Sequence, residues 1–144
     1  MSLGNIHFFT EEIAFELDDP QLLSQWLKSV VESENRSIET INFIFCSDEY
    51  LHKINLEYLN HDTYTDVITF PYASHPIEGD IFISIERVRD NAQQFKVNFA
   101  EELHRVMVHG TLHLLDYLDK SAEEKAQMTR LENKYLEQLA LKLN

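Results

Sequence analysis

Apolar positions along the chain change period several times, and each change marks an element. Ile6 to Phe9 is short, apolar and β-prone, which predicts a first strand. Asp18, Asp19 and Pro20 break the pattern, with Asp19 placed as an N-cap and Pro20 at the first helical position. Leu22, Leu23, Trp26, Leu27, Val30 and Val31 then recur at helical spacing. A turn at Asn35 to Ser37 leads to Ile41 to Cys46, rich in β-branched and aromatic residues and therefore a second strand. Ser47 caps a second helix carrying Tyr50, Leu51, Ile54, Leu56 and Tyr58.

After a polar turn at Asn60 to Thr63, Val67 to Phe70 predicts a third strand, stopped by Pro71. Ala73 to Glu78 reads as a loop, and Gly79 opens a fourth strand at Asp80 to Ile83. The short connection makes these two strands antiparallel neighbours. Ile85 to Phe95 is a third helix. Asn98, with Glu101 three residues on, caps a fourth that runs through Phe99, Leu103, Val106, Met107 and Leu114. The last helix spans about Ser121 to Leu143, with Met128, Leu131, Tyr135 and Leu139 on one stripe. The order predicts an α+β fold: a small mixed sheet of about four strands, with about five helices packed on it. No repeat or linker divides the chain, so residues 1–144 are expected to form a single domain.

One stretch of this pattern is chemically unusual. His109 and His113 are four apart and share a helix face, and Asp119 follows six residues after the second. Two imidazoles and a carboxylate suit one metal ion and leave a position for water, as in a catalytic zinc site. The expected ion is a single Zn2+, with another divalent metal as the alternative. A metal of this kind brings water toward a pKa of about 7 and so supports hydrolysis. Glu102, Arg105 and Asp116 fall within roughly a third of a turn of the histidines on a helical wheel. Asp116 is expected to accept an imidazole N–H and fix its tautomer. Phe99, Leu103, Met107 and Leu114 fall to one side, where they can pack while the histidines face a cleft. Gly110 permits close backbone approach. It also stands where zinc peptidases carry their glutamate base, which counts against a peptidase.

Composition narrows the partners. The net charge of -13 argues against non-specific nucleic-acid binding through general attraction. Any polyanion would be met near Arg87, Arg89, Lys96 and Arg105, which cluster ahead of the histidines. The single cysteine, Cys46, excludes an internal disulfide, fits a reducing compartment and is expected to be buried and inert. No apolar run is long enough to span a membrane and no secretory signal shows, so the expected location is cytoplasmic.

The stretch His109-Gly110-Thr111-Leu112-His113-Leu114-Leu115-Asp116-Tyr117-Leu118-Asp119 resembles the signature H-G-x-L-H-L-x-G-Y-D-H of the YbeY endoribonucleases, bacterial rRNA maturation factors. Thr65-Asp66-Val67-Ile68-Thr69-Phe70-Pro71 and Gly79-Asp80-Ile81-Phe82-Ile83-Ser84 are similar to two further family blocks, in the same order and spacing. The resemblance implies a metal-dependent, single-strand-specific endoribonuclease acting at the 16S rRNA 3′ end and in ribosome quality control. Its partners would be the small ribosomal subunit and assembly factors. The chain departs from the pattern at three places. Asp119 replaces the usual third histidine, Asp116 the glycine before the tyrosine, and Leu59 an arginine ahead of the T-D-V block, for which Arg105 or His61 could substitute. Asp66, Glu102 and Arg105 remain the candidates for catalytic groups. Asp66 is otherwise read as turn chemistry, and Glu102 and Arg105 as surface charges. A non-catalytic assembly module with a structural metal, or a zinc peptidase, are the alternatives; oligomeric state is left open.

Overall fold

Alternation builds the sheet. The computed structural model describes residues 5–143, so Met1-Ser2-Leu3 lies outside the described residues. The strands are β1 (Ile6–Glu11), β2 (Ile38–Cys46), β3 (Val67–Ser74) and β4 (Ile77–Ser84). They lie in the order β1-β2-β4-β3, with β1 and β4 parallel to β2 and β3 antiparallel to β4. The mixed sheet and the antiparallel final pair are as predicted. The parallel neighbours are joined by crossovers, β1 to β2 through α1 (Pro20–Ser33) and β2 onward through α2 (Asp48–Leu59).

On β2, Ile41, Phe43 and Phe45 face the main core; on β4, Ile77, Ile81 and Ile83 continue it. Residues of opposite parity, Cys46 on β2 and Ile68 on β3, form a smaller cluster with Leu51 of α2 on the other face. Cys46 is buried, and that burial pushes its thiol up to about 12, so it is inert at neutral pH as expected.

Pro71 does not stop the third strand. β3 runs on to Ser74, with its register shifting between Pro71 and Ala73. The strand is at the sheet edge, where a missing N–H costs no ladder bond. The expected loop from Ala73 to Glu78 contracts to a turn at His75-Pro76 between β3 and β4.

The remaining helices are α3 (Ile85–Phe95), α4 (Phe99–Leu114) and α5 (Ala122–Leu143). Their starts follow local chemistry. Asp19, Ser47 and Asn98 each accept a backbone N–H at the head of α1, α2 and α4, as the sequence predicts, and Ser84 does the same for α3. α4 is central, touching β3, β4, α1, α3 and α5. Trp26 of α1 is fully buried, and its indole N–H donates to the Tyr135 carbonyl of α5 at 2.8 Å, which ties the outer helices together over α4. Among the described residues no helix is long and apolar enough to cross a membrane.

Candidate metal centre

Close packing of α4 on the sheet fixes where its histidines point. A Cβ on Gly110 would stand 2.8 Å from Ile81 Cγ2, so this turn of α4 lies against β4 with no room for a side chain. His109 and His113 flank that contact and are left half-buried, facing a cleft of 490 Å³ whose far wall is Thr65, Asp66 and Val67. The glycine therefore sets the height of both imidazoles above the sheet. A glutamate at this position would meet Ile81 and Thr69, which removes the peptidase base for a steric reason.

The end of α4 completes the arrangement. Leu115 ends the helix and Asp116 takes φ 75°, while Asp116 N–H bonds to His113 O and Tyr117 N–H to Leu112 O. This is the paired closure of a Schellman cap, whose left-handed residue is most often glycine and sometimes a short polar one. The turn sends the chain back over its own last turn. His113 Nδ1–H then donates to Tyr117 O at 2.9 Å, and Asp119 returns to the histidines.

The three candidate ligands converge. His109 Nε2 and His113 Nε2 lie 3.0 Å apart, and Asp119 Oδ2 is 3.3 Å from each. A tetrahedral ion with bonds of about 2.0 Å has ligand atoms about 3.3 Å apart, so the spacing matches. The tautomers match as well. His109 Nδ1 lies 2.6 Å from Glu132 Oε2 and His113 Nδ1 faces a carbonyl, so both Nδ1 atoms carry protons. Both Nε2 lone pairs are then turned on one point beside a carboxylate, an arrangement a cation relieves. Among the described residues this is the one group of three or more His, Cys, Asp or Glu side chains placed to hold a metal.

Two expectations fail here. Asp116 does not fix an imidazole: it lies beyond the helix, its side chain is 70% exposed, and it pairs with Arg36 at 3.6 Å. The partners of the histidines are Glu132 and the Tyr117 carbonyl instead. Arg105 is not a free cation: it donates to Glu132 at 2.9 Å and Asn133 at 2.8 Å. Arg87, from the same basic cluster, pairs with Asp48 at 2.6 Å. Leu59 and His61 both line the cleft, as does Lys120.

Asp66 sits in the cleft wall, where its carboxylate also accepts from the backbone of Asp66 and Val67. Its carbonyl accepts from Ser84 N–H and its carboxylate from Asn91 at 3.3 Å. Burial raises its pKa against the opposing pull of His109. His109 itself is raised: burial pulls it down, but the Glu132 hydrogen bond and the charges of Glu132 and Asp119 outweigh that. Glu102 is not a surface charge; it is 5% exposed, and burial together with the charge of Asp66 pushes it up to about 7. An acid with a raised folded pKa contributes stability that is fully present below its unfolded value, about 4.5, and lost as pH rises through 7. Glu102→Gln is therefore expected to gain stability over the wild type at pH 8 and to lose that advantage at pH 5. Urea unfolding in chelator at the two pH values checks this.

A larger groove of 960 Å³ runs beside β1, but it gathers no such ligand set. Comparison with known proteins places the chain in a family. The model of the family described as endoribonuclease YbeY matches residues 5–140. Endoribonuclease YbeY of Amoebophilus asiaticus is 49% identical over 138 residues, covering 94% of each chain. That of Flavobacterium johnsoniae is 52% identical over 126 residues, covering 87% of this chain and 91% of the relative. A Thermotoga maritima protein solved in solution superposes with a TM-score of 0.68 at 28% identity, covering 93% of this chain and 88% of that one. With the family model and these relatives matching over nearly the whole length, the chain belongs to the endoribonuclease YbeY family.

Proposed function

We propose that the chain acts as one metal-dependent hydrolase domain, an endoribonuclease that cuts single-stranded RNA during rRNA maturation at the 16S 3′ end. The observation that carries this is the pair of Nε2 atoms, fixed by their Nδ1 partners and aimed with Asp119 at a common point inside an open cleft. His109, His113 and Asp119 would hold one Zn2+. The two imidazoles are borderline donors that suit zinc, while the carboxylate is a hard donor that also admits harder divalent ions. Such an ion, when bound, supplies Lewis acidity and an acidified water.

The chain's own groups do the rest. Asp66 faces the same cleft with a carboxyl raised by burial, which suits it to take a proton from the attacking water and hold it for the leaving oxygen. Lys120 and His61 line the cleft and can meet phosphate, while Arg105 is drawn away by Glu132. The partners in this reading are the small ribosomal subunit and its assembly factors, which places the protein in the cytoplasm. The acidic surface makes recognition depend on these local groups rather than on a general field.

Protein purified without added zinc is expected to contain about one equivalent of metal. It should cut a single-stranded rRNA precursor, stop on chelation and resume on adding zinc. RNA left intact at every metal concentration, with a lowered melting temperature on chelation, would instead favour the assembly module with a structural metal.

A further inference from the structure

We infer that Glu132 is the positioning residue through which α5 governs the metal centre built on α4, so that docking of α5 and occupation of the centre by a divalent cation are linked. The inference rests on the metal-centre reading above and adds to it a residue from a different helix.

Glu132 is a carboxylate placed where packing alone would put an apolar side chain. Met128, Glu132, Tyr135 and Leu139 are the buried residues of α5, spaced four, three and four apart. The Glu132 side chain is 8% exposed, and a charge that deep must be paired and hydrogen-bonded. Both oxygens are engaged: Oε1 accepts from Arg105 at 2.9 Å and Oε2 from His109 Nδ1–H at 2.6 Å. Arg105 thus holds the carboxylate that holds the imidazole. Its second contact, to Asn133, is again on α5.

The two histidines differ in what orients them. His113 is anchored by the Tyr117 carbonyl, four residues on, within the cap of its own helix. His109 is anchored from 23 residues away, by another helix. Loss of α5 contact leaves His113 in place but frees His109 to rotate or to exchange its tautomer, which turns the Nε2 lone pair away from the common point. Coupling of this kind is reciprocal: whatever factor α5 docking contributes to cation affinity, the cation returns to α5 docking. α5 has a hold on the body besides this one. Trp26 donates to the Tyr135 carbonyl, and the Tyr135 hydroxyl donates to Glu34. The helix therefore remains folded when the carboxylate is neutralised, and the linkage can be measured.

The test uses the full chain and zinc ion alone, titrated against a chromophoric chelator, with Glu132→Gln and Glu132→Ala beside the wild type. Loss of a carboxylate that orients a ligand typically weakens metal binding by about 10- to 100-fold, and that range is expected, with glutamine at the mild end because it keeps the shape. Melting in chelator separates this from unfolding. Amide exchange supplies the readout that a merely structural role would not move. In the wild type, zinc should slow exchange both at the end of α4 and along α5 around Glu132 and Tyr135. In Glu132→Gln the α5 response should vanish while the α4 response persists. Zinc affinity within twofold of the wild type in both variants, or undiminished zinc protection of α5 in Glu132→Gln, overturns the inference. A wild type that takes up no zinc overturns the metal-centre reading itself, and this inference with it.

Discussion

His113→Ala is expected to abolish tight metal uptake and to lower RNA cleavage by about three orders of magnitude, close to 4 kcal/mol of transition-state stabilisation. The substitution removes one of three convergent donors and leaves His109 Nε2 and Asp119 Oδ2 3.3 Å apart with no third protein ligand. It should not unfold the protein. His113 is 23% exposed at the cleft wall, and its bond outside the ligand set is to the Tyr117 carbonyl, within the cap of its own helix. Loss of such a bond costs about 1 kcal/mol, or a few degrees of melting temperature in a chain of this size. The decisive comparison is made in chelator, where wild type and variant should melt within those few degrees of each other. With zinc present the wild type should gain stability by mass action and the variant should not. Cleavage that persists unchanged in His113→Ala would point to a contaminating nuclease.

Much of this site can be read from the chain because its parts are local. His109, His113 and Asp119 lie within eleven residues, and helical spacing with a turn after Leu114 is enough to bring them together. The caps at Asp19, Ser47 and Asn98 are legible for the same reason, since each acts on an N–H three residues away. What escapes is what depends on a distant partner. The role expected of Asp116 follows from a wheel that assumes the helix continues, whereas the Schellman cap ends it one residue earlier and turns Asp116 to Arg36. Arg105 looks free for phosphate because Glu132 and Asn133 are 27 and 28 residues away.

A signal for Glu132 was nevertheless present. It stands four residues after Met128 and three before Tyr135, on the stripe that faces the core, and a carboxylate there requires a buried partner. Glu102, beside Leu103 on the inner side of α4, gives the same kind of sign. Strand ends are misplaced for a different reason. Whether Pro71 ends β3 depends on whether that strand has a neighbour on both sides, and sheet order is not contained in local pattern.

Gly110→Val is expected to destabilise the fold by about 2–4 kcal/mol and to weaken zinc binding at the same time, because one contact sets both. Two effects oppose each other at this position. A glycine inside a helix costs about 1 kcal/mol relative to alanine, so filling it should help α4 as a helix. Against that, the first added carbon meets Ile81 Cγ2 at 2.8 Å, Ile81 Cδ1 at 3.3 Å and Thr69 Cγ2 at 3.5 Å. Ile81 is fully buried in the middle of β4 and β-branched, so it has no open rotamer to retreat into. Gly110→Ala should therefore come out near neutral or mildly destabilising, the clash of about 1–3 kcal/mol offsetting the helical gain. Valine adds two more methyl groups and forfeits part of that gain, so the clash wins. Relief must then come from α4 lifting off the sheet, which carries His109 and His113 away from Asp119. Gly110→Ala combined with Ile81→Ala separates this steric account from a need for glycine flexibility. If sterics govern, the alanine at 110 becomes stabilising in the Ile81→Ala background, and a double-mutant cycle reads the coupling directly. If alanine at 110 is equally costly with Ile81 removed, close packing on β4 is not what the glycine provides.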